Sequence, residues 1–210
     1  MKVIKYILIS LVVFLISGYF LLQNHSVQNR LFENTVRGLF QTDEIFMNDA
    51  LSVAVCGSRA PLPSPNRAET CLLVQAGTSK FIIDTGRGSA DNLQRWRVDY
   101  SDLEAVILSH LHSDHISDLH EVQFQSWLGG RKTPLSVIGP VGTASTAQGF
   151  EQAFKLDSIY RSEHHGAILP IEAYGYDVVE FDGDSALIFQ NEDTSICLLY
   201  TSDAADEQLS

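Results

Sequence analysis

The chain has 210 residues, 45% of them hydrophobic and 19% charged, which is ordinary for a globular protein with one well-buried domain. The formal net charge of −12 disfavours binding to nucleic acid through overall charge. Three cysteines, Cys56, Cys71 and Cys197, are too few for a disulfide framework. Cys56 and Cys71 either pair across neighbouring strands in an oxidising compartment or are two small buried residues, and we expect the latter.

The N-terminus contains a long apolar segment. Lys2 and Lys5 are followed by seventeen uncharged, mostly apolar residues, from Tyr6 to Leu22. As a helix this run is about 25 Å long, close to the thickness of the hydrocarbon core of a bilayer. Lysines before the run and none shortly after it predict that the N-terminus stays inside and the domain is translocated. We interpret residues 1–22 as a transmembrane anchor with a periplasmic or external domain. The alternative is a cleavable signal peptide and a secreted protein.

Residues 23–50 have apolar side chains at approximately helical spacing, including Val27, Leu31 and Val36, and are interpreted as a helical linker. From residue 51 onward, short apolar runs separated by Gly, Pro and Asn predict an α/β domain that extends to residue 196. The run "AVIL" is apolar on both faces and predicts an interior strand. Predicted strands are "LSVAVCG", "TCLLVQAG", "SKFIIDTG", "LEAVILSH" and "LSVIGP"; predicted helices are "HISDLHEVQFQSWLGG" and "TASTAQGFEQAF"; "YDVVEFD" and "SALIFQ" are predicted to form a hairpin.

The stretch "AVILSHLHSDHISDLHEVQ" holds four of the seven histidines of the chain. His110 and His112 have i,i+2 spacing at the end of a strand and therefore point to the same side. Asp114 and His115 lie at the turn into the next helix and can reach a second point nearby. The two imidazoles of His110 and His112 suit one zinc ion. The carboxylate of Asp114 and the imidazole of His115 suit a second zinc ion. Two ions about 3.5–4 Å apart can share a hydroxide that attacks an ester, amide or phosphate.

The sequence here resembles the metallo-β-lactamase-fold hydrolases. "HLHSDH" matches the signature of that family, and "FIIDTG" matches an upstream element in which an aspartate, here Asp84, supports the metal site. "GSRAPLPSPNRAETC", "GGRKTPLSVIGPVGT" and "YRSEHHG" are most similar to the branch that contains ribonuclease Z and its arylsulfatase-like relatives. "GSRAPLP" departs from the more glycine-rich turn usual in that branch. The resemblance implies an αββα sandwich, two zinc ions, and catalytic roles for Asp84 and Asp114.

The remaining histidines receive smaller roles. His120 is expected at the surface or behind the metal ligands. His164 and His165 precede the segment where this family places its next metal histidine, and we expect them to line the substrate pocket.

The family requires a third histidine for the first ion, a bridging aspartate and a last histidine, and no histidine follows His165. The composition changes abruptly near Cys197, and "LLYTSDAADE" resembles translated sequencing adapter. We therefore expect residues 197–210 to be non-native and the chain to carry only the N-terminal half of the sandwich. As written, the chain is expected to bind zinc weakly and to be inactive.

The sequence thus predicts a membrane-anchored dinuclear zinc hydrolase of a small sulfate, phosphate or carboxylic ester, with nucleic acid an unexpected partner. One alternative is a ribonuclease Z-like phosphodiesterase. A hydrophobic N-terminus that stays in the cytosol would favour this alternative. The other is a non-catalytic extracytoplasmic metal-binding module.

Overall fold

The computed structural model describes residues 2–39, 50–62, 64–100, 103–183, 185–192 and 194–199, and divides into two units, Met1–Leu39 and Phe40–Ser210. The first unit is a pair of helices, α1 (Lys2–Gln23) and α2 (His25–Leu39). Within α1, Ile4–Gln23 has a mean hydropathy of 2.1 and could cross a membrane by length and composition, a test that a signal sequence also passes. The predicted linker helix is present as α2, and residues 40–49 lie outside the described residues.

The second unit is built on a six-stranded sheet whose strands lie side by side in chain order. The first three strands are antiparallel neighbours, and the third to sixth run parallel to one another. Each of the strands predicted from "LSVAVCG" to "LSVIGP" is present in this sheet, and "YDVVEFD" forms its last strand. The strands are β1 (Leu51–Gly57), β2 (Cys71–Ala76), β3 (Ser79–Ile83), β4 (Leu103–Ile107), β5 (Leu135–Pro140) and β6 (Tyr176–Phe181).

Helices cover one face of this sheet, because α3 packs on β1 and α6 packs on β5 and β6. The central strand β4 has buried side chains on both faces, as the apolar run "AVIL" predicted. The helices of the second unit are α3 (Ser89–Arg95), α4 (Ser113–Ile116), α5 (Leu119–Leu128) and α6 (Thr143–His165), with 3₁₀ turns at Gly166–Ile168 and Ile171–Ala173.

A two-stranded hairpin, β7 (Ser185–Gln190) with β8 (Ser195–Leu199), packs on the other face. Phe189 of the hairpin contacts Phe81 of the sheet edge-to-face, with 4.8 Å between ring centroids. The hairpin does not cover the outer part of this face, where Leu51, Val53 and Val55 of β1 are exposed. The buried residues beneath the hairpin are Phe81, Ala105, Ile107 and Ile138.

The predicted pairing of "YDVVEFD" with "SALIFQ" is wrong. The helix α6 carries the chain back across the sheet, so β6 runs parallel to β5 and pairs with it. The second segment, β7, pairs instead with β8 through a turn that begins at Asn191. In that turn Asn191 Oδ1 accepts a 2.7 Å hydrogen bond from the backbone N–H of Thr194.

The expectation of unpaired cysteines is also wrong for two of the three. Cys56 and Cys71 form a disulfide between β1 and β2, beside an irregularity in the register at Val55–Gly57, and both are buried. Cys197 is unpaired and exposed. The disulfide closes the loop that contains the Pro-rich segment.

Candidate metal centre

Two loops at one edge of the sheet form the candidate site. The first follows β3 and begins at Asp84, and the second follows β4 and contains the histidine cluster. Because β3 and β4 are parallel neighbours, their carboxyl ends lie at the same edge, where ligand sites of such sheets are usually found. The backbone N–H of Asp84 donates a 2.9 Å hydrogen bond to the carbonyl of Ile107, which joins the two loops at their base.

Asp84 is the buried centre of the site. Its side chain accepts hydrogen bonds from the backbone N–H of Ser109 (2.8 Å) and from Nδ1 of His115 (2.7 Å). The backbone of Asp84 has φ +60°, a left-handed conformation that aspartate tolerates better than most residues. Such conformations are kept where surrounding contacts hold them, and here the contacts are those of the histidine loop.

The imidazoles are close to one another. Nε2 of His110 lies 3.0 Å from Nδ1 of His112, and the rings of His110 and His115 are 3.9 Å apart between centroids. Because Nδ1 of His115 faces Asp84, its Nε2 is left to face Asp114, whose Oδ2 lies 3.6 Å away. Burial, and next the neighbouring His115 and His112, lower the pKa of His110, which favours the neutral ring that can ligate a metal.

Backbone contacts fix the histidine loop against the first loop. The N–H of Thr85 donates to the carbonyl of His115, and the N–H of Asp118 donates to the carbonyl of Thr85, both at 2.7 Å. A Cβ atom on Gly86 would overlap the carbonyl oxygen of Asp114, so only glycine allows this approach.

The helix predicted over residues 115–130 is interrupted at this point. In a continuous helix the N–H of Asp118 would bond to the carbonyl of Asp114. It bonds to Thr85 instead, and the Asp118 side chain accepts hydrogen bonds from the backbone N–H groups of Gly88 (2.8 Å) and Ala90 (3.1 Å) at the start of α3. Burial raises the pKa of Asp118, while these two hydrogen bonds lower it.

The candidate ligand atoms form two pairs, and the spacing within each pair suits one zinc ion. Two ligand atoms of a tetrahedral zinc ion, each about 2.0–2.1 Å from it, lie about 3.4 Å apart. The His110–His112 and Asp114–His115 pairs are 3.0 and 3.6 Å apart, so small movements would let each pair hold an ion. Across the described ranges of the chain, however, no group of three or more His, Cys, Asp or Glu side chains is arranged to hold a metal. A complete four-residue metal site therefore stays a prediction.

Other histidines lie apart from these contacts. His164 and His165 are the last two residues of α6 and contact each other edge-to-face, and the contacts that join the site residues do not include them. Their role in a substrate pocket stays a prediction. His120 is half-buried between α5 and α6, where its ring stacks on Phe154 at 3.3 Å between centroids.

Sequence reasoning missed Ser109 and Asp118. The hydroxyl of Ser109 lies 2.7 Å from Oδ2 of Asp84 and 3.1 Å from Nδ1 of His110. The signal available in the sequence was the polar side chain between the apolar run and the first histidine. Asp118 follows the histidine motif closely, but nothing in its spacing indicates that it caps a helix 28 residues earlier in the chain.

Comparison with known proteins identifies the family. A family model described as the metallo-beta-lactamase superfamily matches residues 65–196. Ribonuclease Z of Mycobacterium marinum is 39% identical over 145 residues, which are 66% of this chain and 52% of that protein. Ribonuclease Z of Mycobacterium bovis (strain BCG / Pasteur 1173P2) is 39% identical over 132 residues, which are 60% of this chain and 47% of that protein.

Among solved structures, human tRNase Z, short form, has a TM-score of 0.50 at 20% identity and covers 67% of this chain and 55% of that one, a likeness that shows the fold alone. The chain spans about half the length of the curated relatives it matches. The matched segment contains both loops of the candidate site. By this match and by its mixed α/β architecture, the chain belongs to the metallo-beta-lactamase superfamily.

Proposed function

We propose that the protein is a metal-dependent phosphodiesterase whose active site is formed by the two loops that follow β3 and β4. The observation that carries this proposal is the 39% identity to ribonuclease Z over a 145-residue stretch. A ribonuclease cleaves phosphodiester bonds, so these relatives favour a phosphodiester over the small sulfate, phosphate or carboxylic ester expected from the sequence. The pairs of facing donor atoms at His110–His112 and Asp114–His115 support the metal dependence.

The residues of the chain have separate tasks in this proposal. His110 and His112 would hold one ion, and Asp114 and His115 would hold the other. When bound, zinc would supply Lewis acidity and lower the pKa of a nearby water. Asp84 orients the ring of His115 through Nδ1 and so presents Nε2 to the ion.

The net charge of −12 opposes an anionic substrate at long range, so binding would depend on local positive charge from the metal ions and from a nearby basic side chain. Arg87 follows Gly86 in the first loop, and its side chain is 72% exposed. The buried carboxylate of Glu69 is already paired with Arg59 at 2.6 Å, while Arg87 lies 3.8 Å from it. In this proposal Arg87 contacts a phosphate oxygen of the substrate.

We further propose that the domain works outside the cytoplasm. Two features support this location: the apolar helix α1, and the disulfide between Cys56 and Cys71, because disulfides persist mainly in oxidising compartments. A fusion of alkaline phosphatase after the domain tests it. The fused phosphatase is expected to be active. In a second fusion, a fluorescent reporter that works only in the cytosol replaces the phosphatase. Activity of this reporter, with no phosphatase activity in the first fusion, would contradict the location and favour transfer RNA as the substrate.

The test of function is a substrate panel with the protein expressed from its natural gene and loaded with Zn²⁺. We expect bis(p-nitrophenyl) phosphate to be hydrolysed with a higher kcat/KM than p-nitrophenyl sulfate or p-nitrophenyl acetate. Activity should disappear with chelator and in the His112→Ala variant, whereas the surface variant Asp182→Ala should retain it. A preference for the sulfate or the acetate would contradict the phosphodiesterase assignment. Zinc binding without hydrolysis of any substrate would indicate a metal-binding module instead.

A further inference from the structure

Ser109 lies at the centre of the candidate site although it is not one of the predicted metal ligands. It is the second residue after β4, and its backbone N–H is bonded to Asp84 Oδ1 at 2.8 Å. Its hydroxyl oxygen lies within hydrogen-bond distance of both carboxylate oxygens of Asp84, at 2.9 and 2.7 Å. The same oxygen lies 3.1 Å from Nδ1 of His110 and 3.3 Å from Nδ1 of His115.

The single proton of this hydroxyl can go to only one neighbour. The oxygens of Asp84 already accept hydrogen bonds from the backbone N–H of Ser109 and from Nδ1 of His115, so the carboxylate acts as an acceptor. The hydroxyl oxygen of Ser109 lies within 2.9 Å of both carboxylate oxygens, and the proton of that contact therefore comes from Ser109. If the hydroxyl donated to His110 instead, its lone pairs would face the carboxylate with no proton between them. Such an arrangement is costly at a buried carboxylate, so the hydroxyl donates to Asp84.

The orientation of the hydroxyl then determines the proton position on His110. With its proton directed at Asp84, the Ser109 oxygen presents a lone pair to Nδ1 of His110 and accepts a hydrogen bond from it. The proton of the neutral ring must therefore be on Nδ1. The lone pair of His110 is left on Nε2, the atom that faces Nδ1 of His112 at 3.0 Å.

We propose that Ser109 is a positioning residue that extends the influence of the Asp84 carboxylate to His110 and holds that ring in the Nδ1–H tautomer. The proposal deepens, and rests on, the proposed metal-dependent function. A single buried carboxylate thus sets the tautomers of two imidazoles, His115 directly and His110 through the serine hydroxyl. Each ring then presents Nε2 as a ligand atom, which lowers the reorganisation needed when an ion binds.

The first test measures the tautomer itself without any metal. The full chain in detergent micelles, freed of metal with chelator, is studied by ¹⁵N NMR of the histidine side chains at mildly alkaline pH. We expect His110 to carry its proton on Nδ1 in the unchanged chain and in Ser109→Thr, which keeps the hydroxyl. In Ser109→Ala the proton should move to Nε2 in a substantial fraction of molecules.

The second test is titration of the same proteins with Zn²⁺ against a chromophoric chelator. Removing the hydrogen-bond partner of a metal-binding side chain typically lowers metal affinity about 10–100-fold. We expect this decrease in Zn²⁺ affinity for Ser109→Ala but not for Ser109→Thr. Ser113→Ala is the matched control, because its hydroxyl is in the same loop and makes no hydrogen bond to the described residues. Circular dichroism checks that each variant is folded.

The outcomes separate this inference from the proposed function. An unchanged His110 tautomer in Ser109→Ala would overturn the inference, whether or not zinc binds. A changed tautomer with unchanged zinc affinity would overturn the role of Ser109 in presenting the ligand. If the Zn²⁺-loaded protein of the substrate panel hydrolysed no substrate, the proposed function would fail, and the tautomer measurement would still decide whether Ser109 controls His110.

Discussion

The carboxylate of Asp84 accepts a 2.7 Å hydrogen bond from Nδ1 of His115 across the ends of two neighbouring parallel strands. Asp84 is buried and has φ +60°, while the side chain of His115 is only 16% exposed. The contact turns Nε2 of His115 away from the protein interior and towards Asp114. It is the support on which the orientation of the second pair of donor atoms depends.

Replacing Asp84 with Asn should therefore weaken metal binding by about 10–100-fold, because the amide keeps the shape but loses the charge that favours Nδ1–H on His115. The measurement is Zn²⁺ affinity by chelator competition, with Asp182→Asn as a surface control. Unchanged affinity in the variant would contradict a supporting role for this carboxylate.

Reducing the disulfide between Cys56 and Cys71 should lower the free energy of unfolding of the second unit. The half-cystines are separated by 15 positions, and closing a loop of this length stabilises a protein by about 3 kcal/mol in the chain-entropy model. Urea unfolding with and without reductant measures the difference, and Cys197→Ser serves as the background that removes thiol exchange. Two reactive thiols in that background, after denaturation without reductant, would show that the bond is absent.

The stability of the second unit should fall as the pH is lowered below about 6.5, in part because of His120. Burial lowers the pKa of His120, although Glu121 of α5 and Asp157 of α6 oppose the shift. The unfolded chain then binds a proton more readily than the folded one, so stability is complete above the unfolded pKa and is lost as the pH decreases towards the folded pKa.

The variant His120→Phe keeps an aromatic ring against Phe154 and cannot take up a proton. We expect its unfolding free energy to depend less on pH than that of the unchanged chain, measured by urea titration at several pH values. Arg161, which pairs with Asp157 and lies over Phe124, is left in place in both proteins. Identical pH dependence would show that His120 protonates equally in the folded and unfolded states.

The exposed face of β1 should promote self-association. Leu51, Val53 and Val55 are 76%, 54% and 57% exposed on the side of the sheet where the hairpin packs. Contiguous apolar patches of this kind favour aggregation, and within the described part of the chain β1 is also an edge strand, with no strand beside it on its outer side.

Replacing these three residues with threonine, which keeps a good strand propensity, should slow heat-induced light scattering of the chain in detergent micelles. The control is Val141→Thr, an isolated exposed residue outside the strands. Equal scattering by the triple variant and the unchanged chain would mean that this face does not drive association.

The Asp118 side chain caps the first turn of α3 from a distant part of the sequence. Asp118→Ala would leave the backbone N–H groups of Gly88 and Ala90 without this acceptor, at a cost of about 1 kcal/mol, the usual loss for a helix cap. Faster hydrogen exchange at these two amides is the direct measurement. Exchange rates equal to those of the unchanged chain would contradict the capping role.

The family and the α/β fold could be predicted from the sequence because their signals are local. The "AVIL" run is apolar on both faces, which predicts an interior strand. The histidines that follow it have a spacing that fits two pairs of ligand atoms. The interruption of the predicted helix near Asp118 could not be predicted, because it results from a hydrogen bond to Thr85, which belongs to another strand-end loop. The pairing of β7 with β8, rather than with β6, could not be predicted either. It depends on the position to which α6 returns the chain, because that position pairs β6 with β5.

The disulfide and Ser109 escaped prediction for a related reason. Whether Cys56 meets Cys71 depends on the register between β1 and β2, which the two separate strand patterns do not specify. The hydroxyl of Ser109 gains its importance only because a neighbouring strand brings Asp84 to it. The phosphodiester substrate that we propose also differs from the small ester that charge and the N-terminal helix indicated.

The loops of the candidate site are close together in the chain, since the hydrogen bond between Asp84 and His115 spans 31 residues. By contrast, the bond between Asn191 of the hairpin and Ser79 of the sheet spans 112 residues. Contacts of short sequence separation form faster and, during synthesis, earlier. The contacts of the histidine loop are therefore expected to form earlier in folding than the contact between the hairpin and the sheet.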